Sequence, residues 1–336
     1  FEVMVTPYDE KPQPNEQSAP VGRHMQGCRI GFDAGGSDRK VSAVVDGVPV
    51  YSEEVVWFPK ENSDPQYHYE GIVTALKTAA SKMPRVDAIG VSSAGVFINN
   101  RYMSASLFLK LSEKDFKQYA QNIYLRAAKE IGDVPVAVAN DGDVTALAGA
   151  MSLDDVGVLG IAMGTSEAVG YVDMQGNITG WLNELAFAPV DGNPNAMRDE
   201  WSGDIGCGVK YFSQDAAIKL APAAGIALQG QSPAEKLKEV QALMADGDER
   251  AAAIYRSIGV YLGHALALYA QFYEIRHVLM LGRVTSGKGG DILLAEASRV
   301  LAEEYPHITF APKTPDEKAR RVGQSVAAAS LPKAIN

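Results

Sequence analysis

The sequence is short of cysteine, of positive charge and of long apolar runs. Its two cysteines, Cys28 and Cys207, lie far apart without metal-ligand spacing, and a reducing cytoplasm is the location we expect. Basic residues number 31 against 41 acidic ones, and the formal net charge is −10; this argues against binding to nucleic-acid phosphates. No apolar run approaches the roughly 20 residues of a membrane span. We therefore expect neither nucleic acid nor a membrane as partner.

The length of 336 residues and the 46% hydrophobic content suit two globular domains, each with its own core. Residues 1–26 are polar and rich in proline, without apolar periodicity, and predict an extended or disordered tail without a secretory signal. The first residue is Phe1 rather than Met, as expected of a segment of a longer chain or of a trimmed one.

A strand, a tight glycine turn and a second strand are predicted within residues 29–47. Adjacent glycines bring backbone N–H groups against an anion without a Cβ in the way. The hairpin also offers a hydroxyl, a cation and a carboxylate for hydrated Mg²⁺. These parts could bind a nucleotide phosphate, although a plain hairpin has the same pattern. The residues concerned are Asp33, Gly35, Gly36, Ser37 and Lys40.

Residues 159–176 repeat this pattern, with Gly164, Thr165 and Ser166 in the turn. The spacing of the two copies is too long for a solenoid unit and predicts two related domains in tandem. Two such turns facing each other could bind the phosphates of one nucleotide from both sides.

Alternating strands and helices predict an α/β fold. A buried strand at 134–139 delivers Asn140 and Asp141 at its carboxyl end, where ligands bind in open α/β sheets. This pair is either catalytic or an ordinary helix cap. The other expected elements are strands at 50–58, 86–92, 277–281 and 308–311, and helices at 67–82, 113–131, 233–245, 249–272 and 316–331, with one more helix ending near 304.

Residues 282–289 come close to the P-loop sequence motif, but Gly289 occupies the position at which that motif needs a hydroxyl to bind magnesium. Too little chain follows for the sheet of a P-loop fold. We expect instead that Gly282 and Arg283 open a glycine-rich helix start against a nucleotide base or ribose. A plain turn is the alternative.

In order and spacing these motifs resemble the ROK family (repressors, unclassified reading frames and sugar kinases) of the actin, hexokinase and chaperone-ATPase superfamily, from about Gln26 onward. The family's phosphate motifs are similar to the two glycine turns, its catalytic Asn-Asp pair to Asn140-Asp141, and its adenosine-site glycines to Gly282-Arg283. Its sugar motif lines up with Glu184 to Val190, and its closing helix with 321–329.

The resemblance implies an α/β protein of two ribonuclease H-like (actin-like ATPase) domains with a cleft between them, at 27–138 and 139–315, the C-terminal helix 316–336 joining the first. It implies an ATP-dependent kinase of a hexose or hexose derivative, working as a homodimer with Mg²⁺. The apolar helix at 255–272 is a candidate dimer face. The implied roles are general base for Asp141, sugar contacts for Ser106, Asn140 and Glu184, and water-mediated Mg²⁺ binding for Asp33.

Departures from the family pattern put the acceptor in question. The sugar-contacting histidine is Phe187 here, its neighbouring glycine is Ala186, and Ser106 replaces an asparagine. The further glycines of the second phosphate loop are replaced by Ser166, Glu167 and Ala168, and the second glycine of the adenosine motif by Arg283. Losing polar contacts at a hydroxyl-reading site changes specificity.

Only Cys207 remains where the family has a zinc-binding cysteine cluster, so we expect no structural zinc. No helix-turn-helix precedes Gln26. One rival to the kinase is a catalytically inactive sugar or nucleotide sensor. An ATP-hydrolysing scaffold of the chaperone or actin type is the weaker rival, because its peptide-binding or filament-forming additions are not recognisable here.

Overall fold

The computed structural model describes residues 4–11, 21–36, 38–104, 107–315 and 317–334, which form the expected α/β fold. The strands in these ranges are β1 Cys28–Ala34, β2 Asp38–Val45, β3 Val48–Val56, β4 Ala88–Ser93, β5 Val96–Ile98, β6 Arg101–Ser104, β7 Val136–Asn140, β8 Val158–Met163, β9 Glu167–Val172, β10 His277–Leu281 and β11 Pro312–Lys313. The helices are α1 Pro65–Ala80, α2 Glu113–Asp115, α3 Ile123–Lys129, α4 Asp141–Leu153, α5 Gln214–Ala223, α6 Pro233–Ala245, α7 Glu249–Tyr269, α8 Gly287–Glu304 and α9 Glu317–Ala329.

Two sheets share one strand pattern. The first has the order β3-β2-β1-β4-β7 and the second β11-β10-β8-β9. In each, an antiparallel glycine hairpin (β1–β2 or β8–β9) is followed by a strand parallel to its first member, β4 or β10. Each sheet packs into its own large apolar core. The repeated pattern expected from the two hairpins is therefore present in the sheets.

Two helices cross between these sheets. Helix α4 follows β7 of the first sheet but packs against β8 and β9 of the second. Helix α9 comes from the second half of the chain but packs against β1 and β4. Asn140 ends β7 and caps α4, so this exchange fixes the position of the Asn-Asp pair.

Strand glycines make the close packing of these helices possible. A Cβ on Gly31 would overlap the carbonyl oxygen of Ser325, and one on Gly90 that of Ala328, both on α9. A Cβ on Gly170 would overlap the carbonyl oxygen of Gly142 on α4. At these positions the glycine supplies space, because the helix backbone lies directly on the strand.

Some predicted elements were wrong. The helix expected at 113–131 is broken into α2, a π turn at Phe116–Ala120 and α3. The break coincides with the unforeseen hairpin β5–β6, because the Gln121 carbonyl accepts a hydrogen bond from Tyr102 N (3.0 Å). The strand expected at 308–311 forms at Pro312–Lys313. The end of the expected tail is packed, since Gly22 N donates to Leu331 O (3.2 Å).

Helix α7 is long and apolar enough to cross a membrane by length and composition alone, but 61% of that window is buried inside the protein. It packs against α8 within the same chain. Ile258, Leu262 and Leu266 are at most 2% exposed. The apolar face considered for dimerisation is therefore covered by the chain itself.

Lys210 holds the irregular segment before α5. Its side chain is only 4% exposed, and its Nζ lies 2.8 Å from Asp215 Oδ2, 2.5 Å from Glu200 Oε2 and 3.5 Å from Asp199 Oδ1. Burial opposes the charge, but the hydrogen bonds to these carboxylates outweigh it and raise the pKa of Lys210. Nearby Cys207 is buried, and no metal-binding group of three or more His, Cys, Asp or Glu occurs in the described ranges.

Gly31→Ala or Gly90→Ala is expected to lower the free energy of unfolding by at least about 1–3 kcal/mol, because the added methyl must push α9 off the sheet. Gly192→Ala is the control, since nothing lies within 4 Å of its would-be Cβ. Urea unfolding measures all three. Equal midpoints would contradict the close packing of α9.

Lys210→Met is expected to lower the free energy of unfolding by about 1–3 kcal/mol, because it leaves the buried Asp199 without its counter-charge, whereas Glu200 and Asp215 can still be solvated. Lys117→Met removes an exposed ion pair with Glu113 and should leave the unfolding midpoint unchanged. Thermal and urea unfolding of the two variants test this difference. A Lys210→Met midpoint as high as that of the control would show that the cluster adds no stability.

Candidate functional site

Three parallel strands of the first sheet end at one edge and place polar side chains there. β1, β4 and β7 are neighbours, with Asp33 opposite Ser92 and Ser93 opposite Asn140. Asp141 follows as the first residue of α4. Asp33, the predicted ligand of hydrated Mg²⁺, and Asp141, the predicted base, therefore lie at the same edge, as expected for parallel strands.

Asp33 is buried, with 6% exposure, and its Oδ1 accepts a hydrogen bond from Ser92 Oγ (2.8 Å). Burial raises its pKa to about 6; the Ser92 hydrogen bond opposes the shift and the charge of Asp141 adds to it. Carboxylate oxygen is a ligand that Mg²⁺ prefers. A cation at this position would return Asp33 to its charged form.

A buried tryptophan stabilises the first glycine turn through a hydrogen bond. Trp57, with 1% exposure, donates from Nε1 to the Gly35 carbonyl oxygen (2.7 Å). A Cβ on Gly35 would lie 2.7 Å from the Asp38 carbonyl oxygen, so the turn can only close this tightly with glycine there. Ser37, its predicted hydroxyl donor, lies outside the described residues, as does Ser106, the predicted sugar contact.

Two lysines stand at this turn, and the sequence drew attention to only one. Lys40 Nζ lies 3.5 Å from Asp38 Oδ1 and 4.0 Å from Glu54 Oε2, and its charge lowers the pKa of Asp33 against burial. Lys60 Cε lies 3.3 Å from the place of a Cβ on Gly36. No motif surrounds Lys60 in the sequence; only the folded loop after β3 returns it to the turn.

The structure separates the two interpretations of the Asn-Asp pair. Asn140 is the helix cap: its Oδ1 accepts from Gly142 N (2.8 Å), and its Nδ2 donates to Gly95 O (3.0 Å). Asp141 Oδ1 receives only a longer bond from Gly142 N (3.1 Å), and Gln324 Nε2 holds its main-chain oxygen (2.9 Å). The Asp141 carboxylate is therefore not needed to cap α4.

The pKa of Asp141 is raised by burial, against two opposing effects: hydrogen bonds from the start of α4 and the positive charge of Lys60. Lys60 thus lies within electrostatic reach of both the first glycine turn and the predicted base. A carboxylate with a raised pKa is a better proton acceptor than a solvated one.

The second glycine turn is built beside the predicted adenosine motif. Gly164 N donates to Ser166 O (3.0 Å), and Gln214 N donates to Gly164 O (2.9 Å). Thr165 and Ser166 are exposed. Gly282 has φ 95°, and a Cβ there would overlap Met163 O, just before this turn. The structure thus brings the Gly282-Arg283 turn together with the second glycine turn.

Glu184 connects the two halves of the site. It is an exposed residue at the start of a short 3₁₀ turn, Leu185–Phe187, with its carboxyl partly desolvated. Burial and the charge of Asp141 raise its pKa. Its own charge, after burial, raises the pKa of Glu167, the residue that follows the second turn. Electrostatic coupling therefore runs from Lys60 through Asp141 and Glu184 to Glu167.

A cavity of about 510 Å³ lies between the first sheet, α4, α9 and β10. Asp33, Lys40, Thr145, Leu281 and Gln324 are among its lining residues. The lining residues of the described ranges include none from either glycine turn. The cavity therefore joins Asp33 and Lys40 to the middle of α9, and among the residues described it does not extend to either glycine turn.

No protein-family model matches the chain, and no curated protein matches it. Several solved structures do match the chain. A ROK family glucokinase from Streptomyces griseus, in complex with glucose and AMPPNP, has TM-score 0.64 and 21% identity over 90% of this chain and 98% of its own. The ROK hexokinase from Thermus thermophilus has TM-score 0.67 and 18% identity over 91% and 98%.

A ROK family transcriptional regulator, a homologue of the E. coli MLC protein, matches equally well, with TM-score 0.67 and 18% identity over 92% of this chain and 79% of its own. Kinases and a regulator thus share this architecture, and the likeness speaks for fold rather than activity. The chain has the fold of the ROK sugar kinases.

Proposed function

We propose that the protein is an ATP-dependent kinase that phosphorylates a hydroxyl of a hexose or hexose derivative. The observation that carries the proposal is the Asp141 carboxylate. It is not needed as a helix cap, since Asn140 has that role, and it stands between a glycine turn with its lysine and the acidic residue Glu184.

Phosphoryl transfer depends on positioning and charge neutralisation. The backbone N–H groups of the two glycine turns, around Gly36 and Thr165, hold the β- and γ-phosphates of ATP. Lys60 and Lys40 supply positive charge on the side of the first turn. Asp33 suits Mg²⁺ held through water, because it is one acidic oxygen donor at the edge and such sites usually keep several waters and phosphate oxygens. Mg²⁺ would neutralise phosphate charge there.

On the acceptor side, Asp141 takes the proton from the acceptor hydroxyl as its oxygen attacks the γ-phosphorus. The bond from that phosphorus to the β–γ bridging oxygen breaks, and ADP leaves with the bond electrons. Glu184 and the remaining amide N–H of Asn140 orient other hydroxyls. Phe187, whose ring centre lies 5.3 Å from that of Trp201, gives the site an apolar wall.

Asp141→Asn is expected to lower turnover by about 10²–10⁴, because the base is lost while the hydrogen bonds to the start of α4 can remain. Nucleotide binding, followed by calorimetry with a non-hydrolysable ATP analogue, should survive. Asp133→Asn, at an exposed position, is the control. Sugar phosphate formed from ATP, Mg²⁺ and a panel of hexoses and hexosamines is the readout.

Unchanged turnover in Asp141→Asn would remove the assigned base. If the wild-type protein binds sugar or nucleotide but forms no sugar phosphate, it is a sensor and the kinase proposal fails.

Lys60→Met is expected to lower kcat/KM for ATP by about 10- to 100-fold, the usual effect of losing a charged hydrogen bond. The same change should move the acidic limb of the pH profile to higher pH. Asp141 must be ionised to act, and Lys60 lowers its pKa, so removing that charge raises the pKa. Lys117→Met, in the π turn Phe116–Ala120 and at an exposed ion pair with Glu113, is the control. A profile that does not move would place Lys60 outside the site.

A further inference from the structure

Glu167 is a buried carboxyl that the proposed phosphoryl transfer does not use. It is 5% exposed, and neither Oε1 nor Oε2 has a hydrogen-bond partner among the described residues. Burying a carboxyl without a partner is costly. The other buried acids nearby are satisfied: Asp33 by Ser92, and Asp143 by Asn183 (2.9 Å). Glu167 is therefore a candidate group for binding a ligand, because the described residues leave its carboxyl without a partner.

The side chain of Glu167 reaches the backbone of Gly208 and Leu185. Its Oε2 lies 2.6 Å from the place of a Cβ on Gly208, and the Leu185 carbonyl oxygen lies 2.5 Å from the same point. Leu185 follows Glu184, whose charge acts on Glu167. Glu167 thus lies on the acceptor side of the site, where carbonyl and carboxylate oxygens converge.

A second polar atom nearby lacks a partner. The hydroxyl of Tyr269 has none among the described residues, and the side chain is 1% exposed. Burial raises its pKa, and the charge of Glu167 adds to the shift. Among the described residues Glu167 therefore has no ion pair, and its neighbours include the Leu185 carbonyl oxygen, the charge of Glu184 and the Tyr269 hydroxyl, which can donate as well as accept.

We propose that Glu167 binds a protonated amine of the acceptor, so that the acceptor is an amino sugar with a free ammonium group; this rests on the kinase function proposed above. An ammonium supplies several N–H donors and one positive charge. It would satisfy Glu167, offset its repulsion with Glu184 and use the Leu185 carbonyl. A neutral hexose hydroxyl supplies one donor and no charge.

The sequence departures fit this assignment. Phe187 and Ala186 remove hydrogen-bonding capacity from the predicted sugar motif, whereas Glu167 adds a carboxyl where the resembling loop has small residues. Hydrogen bonding by neutral groups is thus replaced by a carboxyl that can bind a cation. Burial raises the pKa of Glu167 to about 8, and a cation bound beside it would lower that pKa again.

The first test compares initial rates with ATP, Mg²⁺ and either glucosamine, N-acetylglucosamine or glucose. Glucosamine should be preferred by about 10- to 100-fold in kcat/KM, the worth of one charged hydrogen bond. Glu167→Gln keeps the shape and should abolish the preference while glucose turnover is retained. Glu113→Gln, on the exposed α2, should keep it.

The second test measures proton release by calorimetry in two buffers at about pH 6.5, where the free amine stays protonated. Glucosamine binding should release up to about one proton, because the ammonium lowers the raised pKa of Glu167. Glu167→Gln should release none, and melting temperatures show whether that variant folds.

Equal rates for glucosamine and glucose in the wild-type protein would overturn the amino-sugar assignment and leave the kinase standing. Glucosamine binding with proton release but without any sugar phosphate would sink the kinase and keep the recognition. If glucosamine neither binds nor reacts, Glu167 is not an ammonium site, even where another sugar is phosphorylated.

Discussion

The close approach of two crossing helices to two glycine-bearing sheets is the constraint on which the site depends. Gly31 and Gly90 let the backbone of α9 lie directly on β1 and β4, and Gly170 does the same for α4 on β9. A larger residue at these positions would separate helix from sheet. Because α4 begins with Asp141, the same packing that joins the two halves also sets the position of the predicted base.

The same packing removes acidic side chains of the candidate site from water and so raises their pKa values. Asp33 and Asp141 lie at one edge of the first sheet, the charge of Asp141 acts on Glu184 from the other half of the chain, and burial raises the pKa of each. Lys60 and Lys40 are the cations whose charges act on them. A site this acidic favours partners that bring positive charge, whether a metal ion with ATP or a cationic acceptor.

Much of the architecture could be predicted because its signals are local. Periodic apolar residues marked α6 and α7, and the glycine turns marked both hairpins. Predictions failed where a residue distant in sequence supplies the hydrogen-bond or strand partner. The helix expected at 113–131 breaks where Gln121 bonds to the hairpin strand β6, and the strand at Pro312–Lys313 is defined by pairing with β10. Neither partner is visible in a local window.

The sequence alone determined the α/β class, the duplicated glycine hairpins and the candidate residues Asp33 and Asp141, since residue type and short-range order specify these. The tertiary structure decided which side chain is the cap and which remains available, because only the hydrogen bonds of Asn140 show it. It also brought Lys60 to the first turn and left Glu167 buried without a hydrogen-bond partner in the part of the chain that the structure describes. Such facts depend on chain segments far apart in sequence, and burial is a property of the folded whole.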